Sequence, residues 1–124
     1  DLRHADLGGR RALEERIRSL CGTIASERGL GIEIRTLHER PPVPMDGALR
    51  QVLERAATET GTAPTALVSG AGHDAQVLAA RCRVGMLFVP SIGGRSHCPE
   101  EATDPAHLAL GTRVLARALE LLAY

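Results

Sequence analysis

Apolar residues recur along the chain in two different periods, and the alternation between those periods outlines its elements. Leu13, Ile17, Leu20 and Ile24 return at helical spacing with Arg and Glu between them. Asp6 and Gly8-Gly9 precede this run as turn and helix-start residues, and Gly29 follows it as a C-cap. The spacing predicts an amphipathic helix lying over a sheet. Leu30 to His38 then alternates, with Leu30, Ile32, Ile34 and Thr36 on one face and Gly31, Glu33 and Arg35 on the other. Such a pattern predicts a half-exposed strand. With Asp1 to His4 read as the end of an earlier strand, residues 1–38 form a strand, helix, strand unit, whose strands are normally parallel with a right-handed crossover.

Pro41-Pro42-Val43-Pro44 ends that unit, because prolines donate no ladder hydrogen bonds and make a stiff extended connector. The boundary divides the chain into residues 1–40 and 41–124. Beyond it, Asp46 is placed to cap a helix carrying Leu49, Val52, Leu53 and Ala56, stopped by Gly61. Thr65 to Val68 predicts a short strand that runs through Ser69-Gly70-Ala71-Gly72 into a short helix ending near Cys82. Gly85 to Val89 predicts an interior strand, too short for a buried helix and bounded by Gly85 and Pro90. Asp104-Pro105 opens the last helix, with Leu108, Val114, Leu115, Ala118 and Leu122 along it. Residues 41–124 thus read as part of a layered α/β domain.

Charge and composition exclude several function classes. Lys and Arg together number 15, Asp and Glu 15, and every basic residue is Arg, scattered among acids with no basic face. Aromatic residues are 2% of the chain, leaving only Phe88 and Tyr124 to stack a base. Nucleic acid is not an expected partner. No run approaches a membrane span, no signal peptide is present, and three widely spaced cysteines frame neither a disulfide scaffold nor a cysteine zinc site, so a reducing, cytoplasmic setting is expected. The chain opens on Asp rather than Met, which suggests missing upstream sequence.

Chemistry concentrates in Met86 to Glu101. In open α/β sheets, ligands bind outside the carboxyl ends of strands, which is where Ser91 to Glu101 falls. Gly93 and Gly94 allow close backbone approach there, His97 presents a neutral ring nitrogen to a metal, and Glu101 is spaced to orient it or to serve as a supporting carboxylate. A surface loop with an incidental histidine is the plainer alternative. Gly70-Ala71-Gly72-His73-Asp74-Ala75 matches the letters of a dinucleotide-binding turn, but Val89-Pro90-Ser91-Ile92 supplies no acidic residue for a ribose. A tight strand-to-helix turn with Asp74 bonding the helix-start amides is favoured. His97 and Cys98 are adjacent, and neighbours in an extended loop point apart, which argues against a thiol–imidazole pair. His73 and His97 both follow strand ends and face one crevice in this reading, yet two histidines fall short of a catalytic metal site. His4, His38 and His107 carry no supporting pattern.

Val68 to Gln76, Met86 to Gly94 and Ser96-His97-x-Pro99-x-Glu101 together resemble, in order and spacing, the C-terminal part of the N-carbamoyl-L-amino-acid amidohydrolase and allantoate amidohydrolase family of the two-metal aminoacylase and carboxypeptidase superfamily. Asp1-Leu2-Arg3-His4 is similar to that family's lid strand. The resemblance implies an α/β fold: the end of a ferredoxin-like βαβ lid, then the C-terminal part of a layered α/β metallohydrolase catalytic domain. It implies cleavage of a carbamoyl or ureido C–N bond in a small carboxylate-bearing substrate. It also implies two divalent ions (zinc, manganese, cobalt or nickel) and a homodimer formed through the lid. His97 then matches the last metal ligand, His73 a substrate-binding histidine near the ureido group, and Arg3 the lid arginine that clamps the substrate carboxylate. The catalytic Glu and the remaining ligands are expected upstream of Asp1, so the fragment alone is expected to be inactive. Arg95 stands where an Ile is expected. A non-catalytic interaction module built on the edge beside Leu30 to His38 is the alternative.

Overall fold

The computed structural model describes residues 1–123 and contains four α-helices. The first, α1, spans Leu7–Glu27; α2 spans Gly47–Glu59; α3 spans Asp74–Leu78; and α4 spans Pro105–Ala123. A 3-10 turn covers Ile92–Gly94.

Local chemistry accounts for the helix ends. The Asp6 side chain accepts the Gly9 amide at 2.6 Å, and Asp46 Oδ1 accepts the Leu49 amide at 2.9 Å, each satisfying a donor with no partner inside the helix. Asp104 Oδ1 accepts from the Ala106 amide at 2.7 Å, with Pro105 at the first helical position. Gly29 and Gly61 carry φ of 64° and 82° just past α1 and α2, where a Cβ would be strained. One cap differs from expectation. His73, not Asp74, occupies the N-cap of α3, and Asp74 is its first helical residue; no side chain caps this helix.

The expected strands behave otherwise. None of Asp1 to His4, Leu30 to His38, Thr65 to Val68 and Gly85 to Val89 forms a ladder, and no strand is present among the described residues. The βαβ unit is therefore not seen among the described residues. A strand exists only through a ladder of hydrogen bonds to a neighbouring segment, and no such ladder forms among the described residues. Each helix, by contrast, closes its hydrogen bonds within itself.

Two compact units result. One comprises Asp1–Pro44 with Val68–Gly72, the other Met45–Leu67 with His73–Tyr124. In the first, the apolar stripe of α1 stays half open: Leu13, Ile17, Leu20 and Ile24 are 39–53% exposed, since no sheet underlies them. The polar side of the helix is what ties down the following segment. Arg18 donates to the Ile34 carbonyl at 3.1 Å and to Thr36 Oγ1 at 2.7 Å, while Arg10 donates to the Arg40 carbonyl at 2.6 Å and pairs with Glu39. Arg10 is the one buried charged residue among those described.

In the second unit α2 and α4 pack face to face on Ala56, Ala57, Val114 and Ala118, with Val52, Leu53, Leu110 and Leu121 around them. Three alanines at this seam let the two backbones approach closely. Residues 84–89 run beside the pair. The Val84 carbonyl accepts the Asp46 amide at 2.9 Å, and a Cβ on Gly85 would lie 3.3 Å from Leu49 Cβ. At the other end, a Cβ on Gly111 would lie 2.5 Å from Val89 Cγ1. Gly to Ala inside a helix ordinarily gains about 0.8 kcal/mol, whereas forced overpacking costs about 1–3 kcal/mol. Gly111→Ala is therefore expected to destabilise the chain by about 1 kcal/mol in chemical denaturation. Adding Val89→Ala should remove that clash, leaving the pair less impaired than the two single effects summed.

Glu59 closes the α2–α4 seam at its edge, taking Arg55 Nε at 2.7 Å and Arg117 Nε at 2.6 Å; Arg117 also reaches Glu120 at 2.9 Å. Hydrogen bonds from Arg55, then from Arg117, hold the Glu59 carboxyl below the usual carboxylate range. A depressed folded value contributes stability that is complete above the ordinary glutamate range and is lost as pH falls through the lowered value. Glu59→Gln should flatten the acid limb of a urea-midpoint profile taken between about pH 3 and 6. Because the cluster is solvent-exposed, added salt should shrink the difference.

Candidate functional site

The loop after the 85–89 segment folds back on itself. The Ile92 amide donates to the Ala102 carbonyl at 2.8 Å, which closes the base of the loop. Ser91 Oγ donates to the Arg95 carbonyl at 2.5 Å and to the Ala102 carbonyl at 3.4 Å. Gly93 and Gly94, with φ of 66° and 65°, then turn the chain as only glycine does readily. The sequence marks Ser91 only as the first residue of this loop and does not foresee its bonds across the loop. Their signal is a hydroxyl two residues before the Gly-Gly pair, a position from which a side chain can bond the main chain of a turn.

His97 lies at the far side of this loop in an exposed position, with φ of 56°. It is the only residue other than glycine with positive φ among those described. Glu101 Oε2 accepts the His97 backbone amide at 2.8 Å, and the Glu101 amide donates to the Cys98 carbonyl at 3.0 Å. Glu101 thus meets His97 at its main-chain amide. Arg95 pairs loosely with Glu100 at 3.8 Å, both exposed, and its role gains no further explanation.

His73 packs its ring edge-to-face on Phe88, with centroids 5.5 Å apart and planes at 64°. This contact ties the start of α3 to the 85–89 segment. Arg3 sits in the other unit, where its guanidinium donates to the Gly70 carbonyl and pairs with the Asp1 carboxylate, taking Nε at 2.8 Å. Asp1 is a carboxylate on the group proposed to clamp one. The Arg3 guanidinium is thus engaged by a carboxylate within the chain, with the Arg3 side chain 56% exposed.

The donor set matches one place in a metal centre. His97 offers an exposed imidazole, but among the described residues no three His, Cys, Asp or Glu side chains gather in an arrangement able to hold an ion. A catalytic site normally needs three protein ligands. Cys21, Cys82 and Cys98 are all unpaired thiols. Likewise, no helix among the described residues is long and apolar enough to cross a membrane.

The sequence profile of peptidase family M20/M25/M40 matches residues 8–121. The chain is 38% identical over 124 residues to an allantoate amidohydrolase of Bacillus subtilis, covering all of this chain and 30% of that protein. It is 36% identical over 122 residues to an N-carbamoyl-L-amino-acid amidohydrolase of Paenarthrobacter aurescens, covering 98% of this chain and 30% of that one. A crystal structure of a hydantoinase/carbamoylase family amidase from Burkholderia ambifaria superposes with a TM-score of 0.80 at 34% identity, over 94% of this chain and 27% of that chain. The likeness supports an α/β hydrolase fold, although the residues described here carry only its helices. The chain therefore spans about 30% of the length of the curated relatives it matches.

Proposed function

The chain belongs to peptidase family M20/M25/M40, and we propose that it is the C-terminal part of a metal-dependent amidohydrolase that cleaves a carbamoyl or ureido C–N bond beside a carboxylate. The observation that carries this reading is the end-to-end match, at 36–38% identity, to proteins named as allantoate and N-carbamoyl-L-amino-acid amidohydrolases. Three features of the structure support it: an Arg3 guanidinium that already holds a carboxylate, His73 braced on Phe88, and His97 raised on a closed loop.

Each residue takes a role suited to its chemistry. Arg3 holds the substrate carboxylate through parallel hydrogen bonds. His73 hydrogen-bonds the substrate near the ureido group. His97 supplies one neutral nitrogen ligand, and two divalent ions, when bound, would activate water and polarise the carbonyl. Residues 1–40 belong to a lid that also forms a homodimer, and residues 41–124 to the catalytic domain, in a cytoplasmic enzyme. The catalytic carboxylate and remaining ligands lie outside these residues, so residues 1–124 alone should not hydrolyse N-carbamoyl amino acids or allantoate with added manganese or zinc. Turnover by the purified chain would overturn that division of the site.

The exposed Leu30, Ile32, Ile34 and Leu37 favour one second reading, a non-catalytic module that associates through this edge. Sedimentation separates the two. A discrete dimer abolished by Ile34→Pro supports the module, whereas a poorly folded, aggregating chain supports a fragment whose apolar faces belong against the rest of an enzyme.

A further inference from the structure

We propose that Glu101 is a positioning residue that sets the direction of the His97 side chain by holding the His97 main chain. The inference rests on the proposed role of His97 as a ligand and goes beyond it by assigning how the imidazole is aimed.

A left-handed backbone is unfavourable for a residue with a Cβ, so His97 at φ 56° must be held there by its surroundings. Three contacts do so. Glu101 Oε2 takes the His97 amide at 2.8 Å, the Glu101 amide returns to the Cys98 carbonyl at 3.0 Å, and the Ile92–Ala102 bond at 2.8 Å anchors the residue next to Glu101 to the base of the loop. Pro99 stands inside this small ring. It has no amide to compete for the carboxylate, and its fixed φ stiffens the path from His97 to Glu101. With the carboxylate occupied by the main chain, the imidazole nitrogens are left to a ligand. Reversing the sign of φ at residue 97 would swing the Cα–Cβ bond away from its present direction, so the clamp determines where the ring points. Acceptor geometry is what this device requires; negative charge is secondary.

That distinction makes the idea testable in the full-length enzyme with Glu101→Gln, Glu101→Asp and Glu101→Ala, using His97→Ala as reference. Metal retained after dialysis and kcat/KM are both measured, with circular dichroism as the folding control. Gln keeps the oxygen at the same reach without the charge, so it should retain its metal and lie within about threefold of the unaltered enzyme. Asp keeps the charge but loses a methylene of reach, and Ala loses the acceptor; both should lose metal affinity and kcat/KM by about 10–100-fold. An intact Asp variant beside a defective Gln variant would overturn the clamp in favour of an electrostatic role. An unimpaired Ala variant beside an inactive His97→Ala would overturn the clamp alone. Full metal content and activity in His97→Ala would instead overturn the reading of His97 as a ligand, and the inference with it.

Discussion

Replacing His97 by Ala in the full-length enzyme is expected to lower kcat by roughly 10³-fold or more and to strip metal from the protein in parallel. The imidazole is exposed, and the bond from Glu101 runs to the His97 main chain, so truncation removes the ring without removing that contact. The loop should keep its shape. Closure at Ser91, Ile92 and Ala102, and the turn at Gly93 and Gly94, do not involve the ring. Excess metal should therefore rescue activity only in part, since the fold is intact but one donor is gone. Metal content by elemental analysis checks the claim. A variant that keeps its full complement of ions while losing activity would point to a role in proton transfer instead.

Arg3→Ala is expected to fail in the opposite way, raising KM by roughly 10²–10³-fold while leaving metal content unchanged. Where bound substrate desolvates the pair, losing one partner of a hydrogen-bonded charge pair costs about 2–5 kcal/mol, and each 1.4 kcal/mol is a factor of ten. The Arg3 guanidinium presently carries Asp1 and the Gly70 carbonyl, ligands of the kind a substrate carboxylate would replace. Arg3→Lys should recover only a minor part, because an ammonium cannot present two parallel donors to one carboxylate. If the lid serves the partner subunit of a homodimer, mixing Arg3→Ala with His97→Ala under subunit exchange should restore activity, since one site in each hybrid carries neither lesion. Loss of metal in Arg3→Ala would remove Arg3 from the lid role, and absence of recovery on mixing would remove the cross-subunit arrangement.

The helices were legible in the sequence because everything that starts or stops them is close at hand along the chain. Asp6 and Asp46 reach amides three residues ahead, Gly29 and Gly61 turn the chain immediately after the last turn, and Pro105 stands where its missing amide costs nothing. Local rules misplaced only the cap of α3, a five-residue helix whose start is held by His73 against Phe88 and by no side-chain cap. The apolar stripe of α2 likewise led to the seam with α4, because Ala56 is fully buried and Ala118 nearly so.

Strands followed another rule. The alternation from Leu30 to His38 is a statement about two faces, and it becomes a strand only when a second segment offers hydrogen bonds from the side. Among the described residues none does, and the apolar positions stay open. The candidate site divides along the same line. Spacing paired His97 with Glu101, and only the family resemblance added Arg3 and His73 to the set. Only the tertiary structure decided that Glu101 grips the His97 amide and not its ring, that Phe88 backs His73, and that Arg10 and Arg18 hold residues 34–40 to α1. Spacing along a chain determines which groups can meet across one or two turns of helix; which atom of a neighbour a carboxylate or guanidinium finally meets depends on backbone angles that the loop adopts as a whole.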